Sequence, residues 1–519
     1  MDASHGFKDP QSLSFQRPII RRLILGSYWV VILFAIPFWW RLTSIERIAL
    51  PSSRVHAQLE KRPVFPVNVQ LDGSSFQGRA PVLASELSDL LAQSTRTSAR
   101  WSDLDIHVTI DQNPAVDNQT ARSVYIVALG NVTVVRHPRH LILSQHDASS
   151  AAKIADILMG LLAPEAPSRV QRVVQYAKRY RLAFTLLNED VTSDELIYNW
   201  DIRAALAGKC RCLCAHIPLA EIVPDHISPV LSRLNVIHDF VIESQVQFHA
   251  PLAFEPVQIV SENSTFYGLT PGDLTVFVNS AEWTLSSSVS EDPVLHFLLF
   301  IPSSSRQPLH ILDMQGSPTR HAVFLLPQWG GIYILNHLKH VGTRKHLTAV
   351  DLSLVFSAFA NQLSALLGVS DLPHGVKSES PSTLSDWQLD TVLRHRALEN
   401  IVGTQQTLHS IVKLVDQIEN MPVDETARGD VQNALTALDQ AYRTTAEPPL
   451  TILHWSREAL SLASHAFFNP GMLALLYFPA EHKYAVYTPL FASIAVPLVV
   501  ALGRELHAWR REHRTTAGN

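Results

Sequence analysis

Apolar and polar positions along this chain fall into three regimes: an unbroken apolar run near each end, β-branched runs between them, and then apolar residues at helical spacing. The first run, Leu23 to Trp40 (LILGSYWVVILFAIPFWW), carries no charge. As a helix it would be about 27 Å long, the hydrocarbon thickness of a thin bilayer. Phe38, Trp39 and Trp40 would form an aromatic belt at one interface. The residues that follow are Trp and Arg, not the small residues of a cleavage site, so the run reads as an uncleaved anchor and not as a signal peptide.

The second run, Tyr484 to Gly503, is also uncharged and precedes Arg504, Arg510, Arg511 and Arg514. The positive-inside rule puts that end in the cytosol, whereas the arginines around the first run are nearly balanced. Met472 to Phe478 is too short to span, so it reads as an interfacial piece, and Glu481, His482 and Lys483 mark the water boundary. A lipid-attachment signal would end in its greasy tail, and here a polar and basic segment follows. The expected organisation is a cytosolic tail over 1–22, a transmembrane helix over 23–40 and a luminal α/β region over 41–350. A luminal helical region over 351–471, an interfacial segment over 472–483, a second transmembrane helix over 484–503 and a cytosolic tail over 504–519 complete it.

Within the middle region the patterns LDIHVTI (104–110), SVYIVAL (123–129), HLILS (140–144) and RLAFTLL (181–187) predict strands. So do FVIESQVQF (240–248), DLTVFVN (273–279), VLHFLLFI (294–301) and HAVFLLP (321–327). Helical patterns occupy 149–163 and 193–207, which makes the architecture mixed α/β. After Val350 come an amphipathic helix over 351–368 closed by Gly368, a polar linker over 374–383, and a long helix. Ile401, Leu408, Ile411, Val415 and Ile418 form the apolar stripe of that long helix, and further helices cover 425–445 and 450–468. The fold class is therefore a membrane protein with one transmembrane helix at each end and a large luminal mixed α/β region followed by a helical segment.

Composition sharpens this reading. Hydrophobic residues make up 46% and charged residues 17%, against roughly 25% charged in soluble domains. A net charge of −5 supplies no basic surface for nucleic acid, and neither GxxxxGK[ST] nor GxGxxG occurs. The three cysteines fall together in CRCLCAH, with Cys210, Cys212, Cys214 and His216. That spacing lacks the second ligand pair of a zinc site, and an oxidising lumen would let two of the three pair. Neither GxSxG nor HExxH is present, and the 24 histidines are scattered. Trp329-Gly330-Gly331 predicts a turn between two strands, with both glycines at positive φ and the indole packed. No catalytic, cofactor-binding or metal-binding residue is expected, and no cofactor. Asn118, Asn131 and Asn263 head N-glycosylation sequons, all on the side the anchors make luminal; Asn131, in a strand-like run, is expected to be the least accessible.

Several stretches together resemble the PIG-S family, a subunit of the GPI transamidase complex of the endoplasmic reticulum membrane. They are PFWWRLTSIERIALP (37–51), YRLAFTLLNED (180–190), VNSAEWTL (278–285), LPQWGGIYILN (326–336), WQLDTVLRHRALENI (387–401) and FFNPGMLALLYFPAEHKYAVYTPLF (467–491). The resemblance implies a non-catalytic subunit whose two spans hold the bulk in the lumen and both termini in the cytosol. Its partners would be a PIG-K-like catalytic subunit, GPAA1-like (GAA1), PIG-T and PIG-U subunits, and membrane lipid, with the GPI lipid a candidate and proproteins met indirectly. The competing readings are a stand-alone luminal hydrolase or transferase acting through Cys210–Cys214 and His216, and a substrate receptor.

Overall fold

The computed structural model describes residues 17–43, 48–97, 102–111, 124–164, 173–190, 196–197, 226–261, 264–278, 292–336, 339–341, 344–346, 349–380, 383–418, 421–473 and 480–516. The chain forms two compact units. One comprises Arg62–Val402 and Ala437–Arg457, the other Met1–Lys61, Gly403–Thr436 and Glu458–Asn519.

The first of these units contains two α/β sheets. In the N-terminal one, β1 (Phe65–Asp72) lies between β2 (Leu104–Asp111) and β3 (Val124–Gly130), all parallel. Beyond β3 come β5 (His140–Ser144), parallel to it, then β4 (Val134–Arg136), antiparallel to β5, and β17 (Lys377–Ser378). Alternation along β1 turns Val67, Val69 and Leu71 inward, where they meet Leu83, Leu87 and Leu91 of α3 (Ala80–Thr97). Ile154 and Leu158 of α4 (Ala151–Leu162) belong to the same core.

The second sheet runs β13 (Val323–Leu326), β14 (Gly330–Ile334), β11 (Val294–Ile301), β6 (Arg179–Asn188), β8 (Asp239–Phe248). Its central strands are parallel, and β6 and β11 are buried almost throughout. Burial on both faces explains why their sequences read as continuous apolar runs. On one face Phe184 stacks on Phe297 at 5.2 Å between centroids, and both meet Phe359 of α6 (Ala349–Leu366); α5 (Ser228–Leu234) is a further short helix of this unit. On the other face Leu298, Phe300, Ile332 and Ile334 share a core with Phe277, Leu269, Leu309 and Ile311. The last three come from the small sheet of β9 (Val257–Ser261), β10 (Ser264–Leu269) and β12 (Leu309–Ile311). Gly368, at φ +83°, closes α6 as expected.

The second unit is helical. It contains α1 (Pro18–Thr43), α2 (Ser52–Leu59) and α10 (Ala480–Thr516), with parts of α7 (Asp386–Gln417), α8 (Glu425–Arg443) and α9 (Pro449–Phe467). Ile401, Leu408, Ile411 and Val415 of the predicted stripe are all buried. Gln405 donates to the backbone oxygens of Gln58 and Lys61 at 2.6 and 2.9 Å, satisfying carbonyls at the end of α2.

Three sequence expectations fail. Within 273–279 there is no strand over the described residues: Thr270 and Asp273 form a capping box that starts a helical turn at Pro271–Thr275, leaving Phe277 as a buried plug. Within 193–207 the described pair Leu196–Ile197 is a strand, β7, paired to β16 (Arg344–His346), which in turn pairs β15 (Lys339–Val341); the rest of that segment lies outside the described residues. In the β13–β14 turn Gln328 is left-handed at φ +63°, and of the two glycines only Gly330 has a positive φ, so that expectation holds for Gly330 and fails for Gly331. Gly330, at φ +157°, is needed for close approach, because a Cβ there would sit 1.9 Å from the backbone oxygen of His296. The polar linker over 374–383 also gives up Lys377–Ser378 to the first sheet.

Two predictions follow from this packing. Gly330→Ala pushes β14 off β11 and should cost more than about 4 kcal/mol, whereas Gly316→Ala, at φ +80° with open space, should cost only about 1–2 kcal/mol. Thermal unfolding of the full chain in detergent measures both. Burial holds His238 and His296 as neutral bases with pKa values lowered to about 4. The His238 Nδ1–H donates to Ala177 O at 2.7 Å, and the His296 ring stacks on Trp329 at 4.7 Å. The unfolded chain takes up protons at these sites first, so stability is constant above about pH 6.5 and falls towards pH 4. His296→Gln should flatten that fall in pH-dependent unfolding; an unchanged slope would refute the assignment.

Candidate functional site

Among the described residues, the polar side chains that the fold brings together are bonded to one another. A polar cluster lies where the first turns of α7 meet the N-terminal sheet. Ser385 and Gln388 start this helix with reciprocal bonds: Gln388 N donates to Ser385 Oγ at 3.3 Å, and Ser385 N to Gln388 Oε1 at 3.2 Å. Helical spacing then sets Asp386, Asp390 and Arg394 on one face.

Asp390, 2% exposed, receives a forked pair from Arg139, with Nε to Oδ2 at 2.5 Å and Nη2 to Oδ1 at 2.9 Å. Arg139 takes a left-handed φ of +59° in the β4–β5 turn. The Tyr125 hydroxyl donates to Asp390 at 2.8 Å and accepts from Arg394 Nη1 at 2.9 Å. Trp387, fully buried, packs its ring 4.4 Å from that of Tyr125. Asp386 accepts from Arg233, from His137 Nδ1 at 2.6 Å and from Arg139 N at 3.3 Å.

The electrostatics follow from this geometry. Burial pushes the Tyr125 hydroxyl well above its ordinary pKa, so it stays protonated. Burial opposes the charge of Arg139, but the bond to Asp390 outweighs it and holds the guanidinium ionised. For Asp386 burial likewise acts upward and is overcome, chiefly by Arg233, so the carboxyl lies below its usual range.

Arg396 reaches the other sheet's surroundings. Only 1% exposed, it donates to Val174 O at 3.1 Å and Leu367 O at 3.2 Å, and pairs with Glu399 at 2.8 Å. A similar closure ends β6, where Glu189 accepts from Ser303 N at 2.8 Å and pairs with Arg306 at 2.5 Å. Sequence reasoning missed all these residues. Two carboxylates and an arginine repeating every four positions beside a tryptophan was the available signal.

The second arrangement is the pairing of α1 with α10, which among the described residues are the two helices long and apolar enough to cross a membrane (Ile19–Trp39 and Ala485–Arg510). Trp39 meets Tyr487 and Phe491 edge-on at 5.6 and 5.3 Å. At the opposite end Arg21 and Arg22 both pair with Glu505, whose side chain is 10% exposed. The helices are therefore antiparallel, with the start of α1 beside the C-terminal part of α10. Eighteen residues separate Arg21 from Trp39 and Tyr487 from Glu505, so each contact-to-contact span is about 27 Å. α10 runs unbroken from Ala480, with Glu481–Lys483 in its first turn, to Thr516. Met472, expected at an interface, is 2% exposed.

Asn131 is corrected: it lies exposed in the turn between β3 and β4, not within a strand. Asn118, Asn263, Cys210, Cys212, Cys214 and His216 lie outside the described residues. Among the described residues, no three His, Cys, Asp or Glu side chains are grouped to hold a metal.

The family model for phosphatidylinositol-glycan biosynthesis class S protein matches residues 26–512. The chain belongs to the PIG-S family. Similar proteins include the mouse GPI-anchor transamidase component PIGS (Mus musculus), 32% identical over 68% of this chain and 63% of the mouse chain. The human component of the same name (Homo sapiens) is 27% identical over 95% of this chain and 97% of its own. The Schizosaccharomyces pombe GPI transamidase component PIG-S homolog is 27% identical over 95% and 85%. In this PIG-S family member the stretch 387–401 forms the ionic cluster on α7, and 180–190 forms β6 with its Glu189 closure.

Removing one partner of a buried pair strands the other charge at about 3–5 kcal/mol. Asp390→Ala should destabilise by that amount in chemical unfolding of the full chain, whereas removing the exposed Arg136–Glu379 pair should cost under about 1 kcal/mol.

Proposed function

We propose that this chain is a non-catalytic subunit of GPI transamidase, supporting attachment of GPI anchors to the C-termini of proproteins in the endoplasmic reticulum. The observation that carries the reading is the match, over 95% of the chain, to relatives named as components of that enzyme. The α1–α10 pair supports a membrane arrangement. Its two helices match a bilayer in length, and their antiparallel contact is the one expected if both termini share a side. Arg504, Arg510, Arg511 and Arg514 favour the cytosol for that side by the positive-inside rule, and on this reading the α/β unit is luminal. The transamidation chemistry resides on a PIG-K-like subunit, and GPAA1-like (GAA1), PIG-T and PIG-U subunits are the further partners.

Purification of the tagged full chain in mild detergent should recover the other four subunits together. Recovery of the chain alone would sink the proposal. Replacing Cys210, Cys212 and Cys214 together by serine should leave GPI attachment in cells at the parental level; its abolition with the complex intact would favour a catalytic role for this chain instead.

A further inference from the structure

We infer that Asn131 carries an N-linked glycan, added before the N-terminal sheet closes; this rests on the luminal placement of the α/β unit. The sequon Asn131-Val132-Thr133 starts one residue after Gly130, the last residue of β3. Asn131 is exposed and Val132 is 52% exposed, so the folded turn has room for a bulky substituent. Thr133 is the opposite, at 3% exposure. Its hydroxyl donates to Asp147 and accepts from Ser144 N at 3.0 Å, while Ser144 Oγ donates to the same Asp147 oxygen at 2.9 Å. Its backbone oxygen accepts from Lys377 N at 3.1 Å, beside the β4–β17 pairing.

Sequon recognition requires both the asparagine amide and the hydroxyl two positions on. In the folded chain the amide is available and the hydroxyl is committed. The acceptor must therefore be the chain before Thr133, Ser144 and Asp147 come together. In the transfer the Asn131 side-chain nitrogen bonds to C1 of a lipid-diphosphate-linked oligosaccharide. The C1–O bond breaks, the polyprenyl diphosphate leaves, and the amide gives up one proton.

The location has a consequence. β1, β2 and β3 are parallel, so Asp72, Asp111 and Gly130 end at the same edge of the sheet. The chain leaves β1 for β2 on one side and has β3 on the other, which puts a reversal of strand order between β1 and β3. Open α/β sheets seat their ligands at such a carboxyl edge. A glycan on the turn after β3 would stand at that edge, as suits a sheet that serves as a support.

The test is endoglycosidase digestion of the full chain expressed in cells, read as steps of mobility. Asn131→Gln and Asn131→Asp should each lose one step, and Thr133→Ser, which keeps both sequon and hydroxyl, should retain it. Pulse-labelled full-length chain should already carry the Asn131 step; its appearance only during the chase would overturn the order of events. Loss of no step in either Asn131 variant, with the middle region still protected from protease in sealed microsomes, would overturn the glycan and leave the luminal placement standing. Digestion of that region by external protease would overturn both.

Discussion

The forked pair between Arg139 and Asp390 is the constraint on which the larger unit depends. A carboxylate 2% exposed is tolerable only because two guanidinium hydrogen bonds and a tyrosine hydroxyl satisfy it. Those donors come from the β4–β5 turn and from β3, so the first turns of α7 hold one register against the sheet. Arg396, two residues beyond Arg394, then ties the same helix to the carbonyls of Val174 and Leu367. Apolar packing alone tolerates sliding, and a bidentate pair does not.

This accounts for the charge and aromaticity of the stretch 387–401, one of those that mark the family. Asp390, Arg394 and Arg396 are each spent on bonds inside the protein, and Trp387 is spent on packing against the Tyr125 ring. Tyr125 is kept protonated by burial and is bonded on its oxygen from both sides, leaving neither a base nor a nucleophile. Glu189 is similarly engaged by Ser303 and Arg306.

Periodicity made most of the fold legible. HLILS and VLHFLLFI match β5 and β11 residue for residue, because a run buried on one or both faces leaves its signature in the sequence. The apolar stripe of α7 was equally readable. Failures came where local polar chemistry overrode apolar pattern: the Thr270–Asp273 box turned a strand-like run into a helical turn around Phe277. At Gly330 the positive φ is legible in the sequence, but the close approach of the His296 carbonyl is not, being a contact with a strand more than thirty positions earlier. The α7 side of the ionic cluster leaves a signal in its four-residue spacing, but its pairing does not, since Arg139 and Asp390 are 251 residues apart.

The anchor pair joins both levels. Each helix was evident from composition, but their mutual register depends on Glu505, which the sequence reading left in a tail. Glu505 follows the uncharged run 484–503 of α10 with its side chain only 10% exposed, a costly place for an unpaired charge, and two arginines at the start of α1 supply the partner. Trp39 against Tyr487 and Phe491 fixes the opposite end, so the pair is pinned at two points about 27 Å apart. Two pins prevent both sliding and splaying. The same rule governs both units: buried or half-buried charge is placed where it fixes one helix in register against its neighbour.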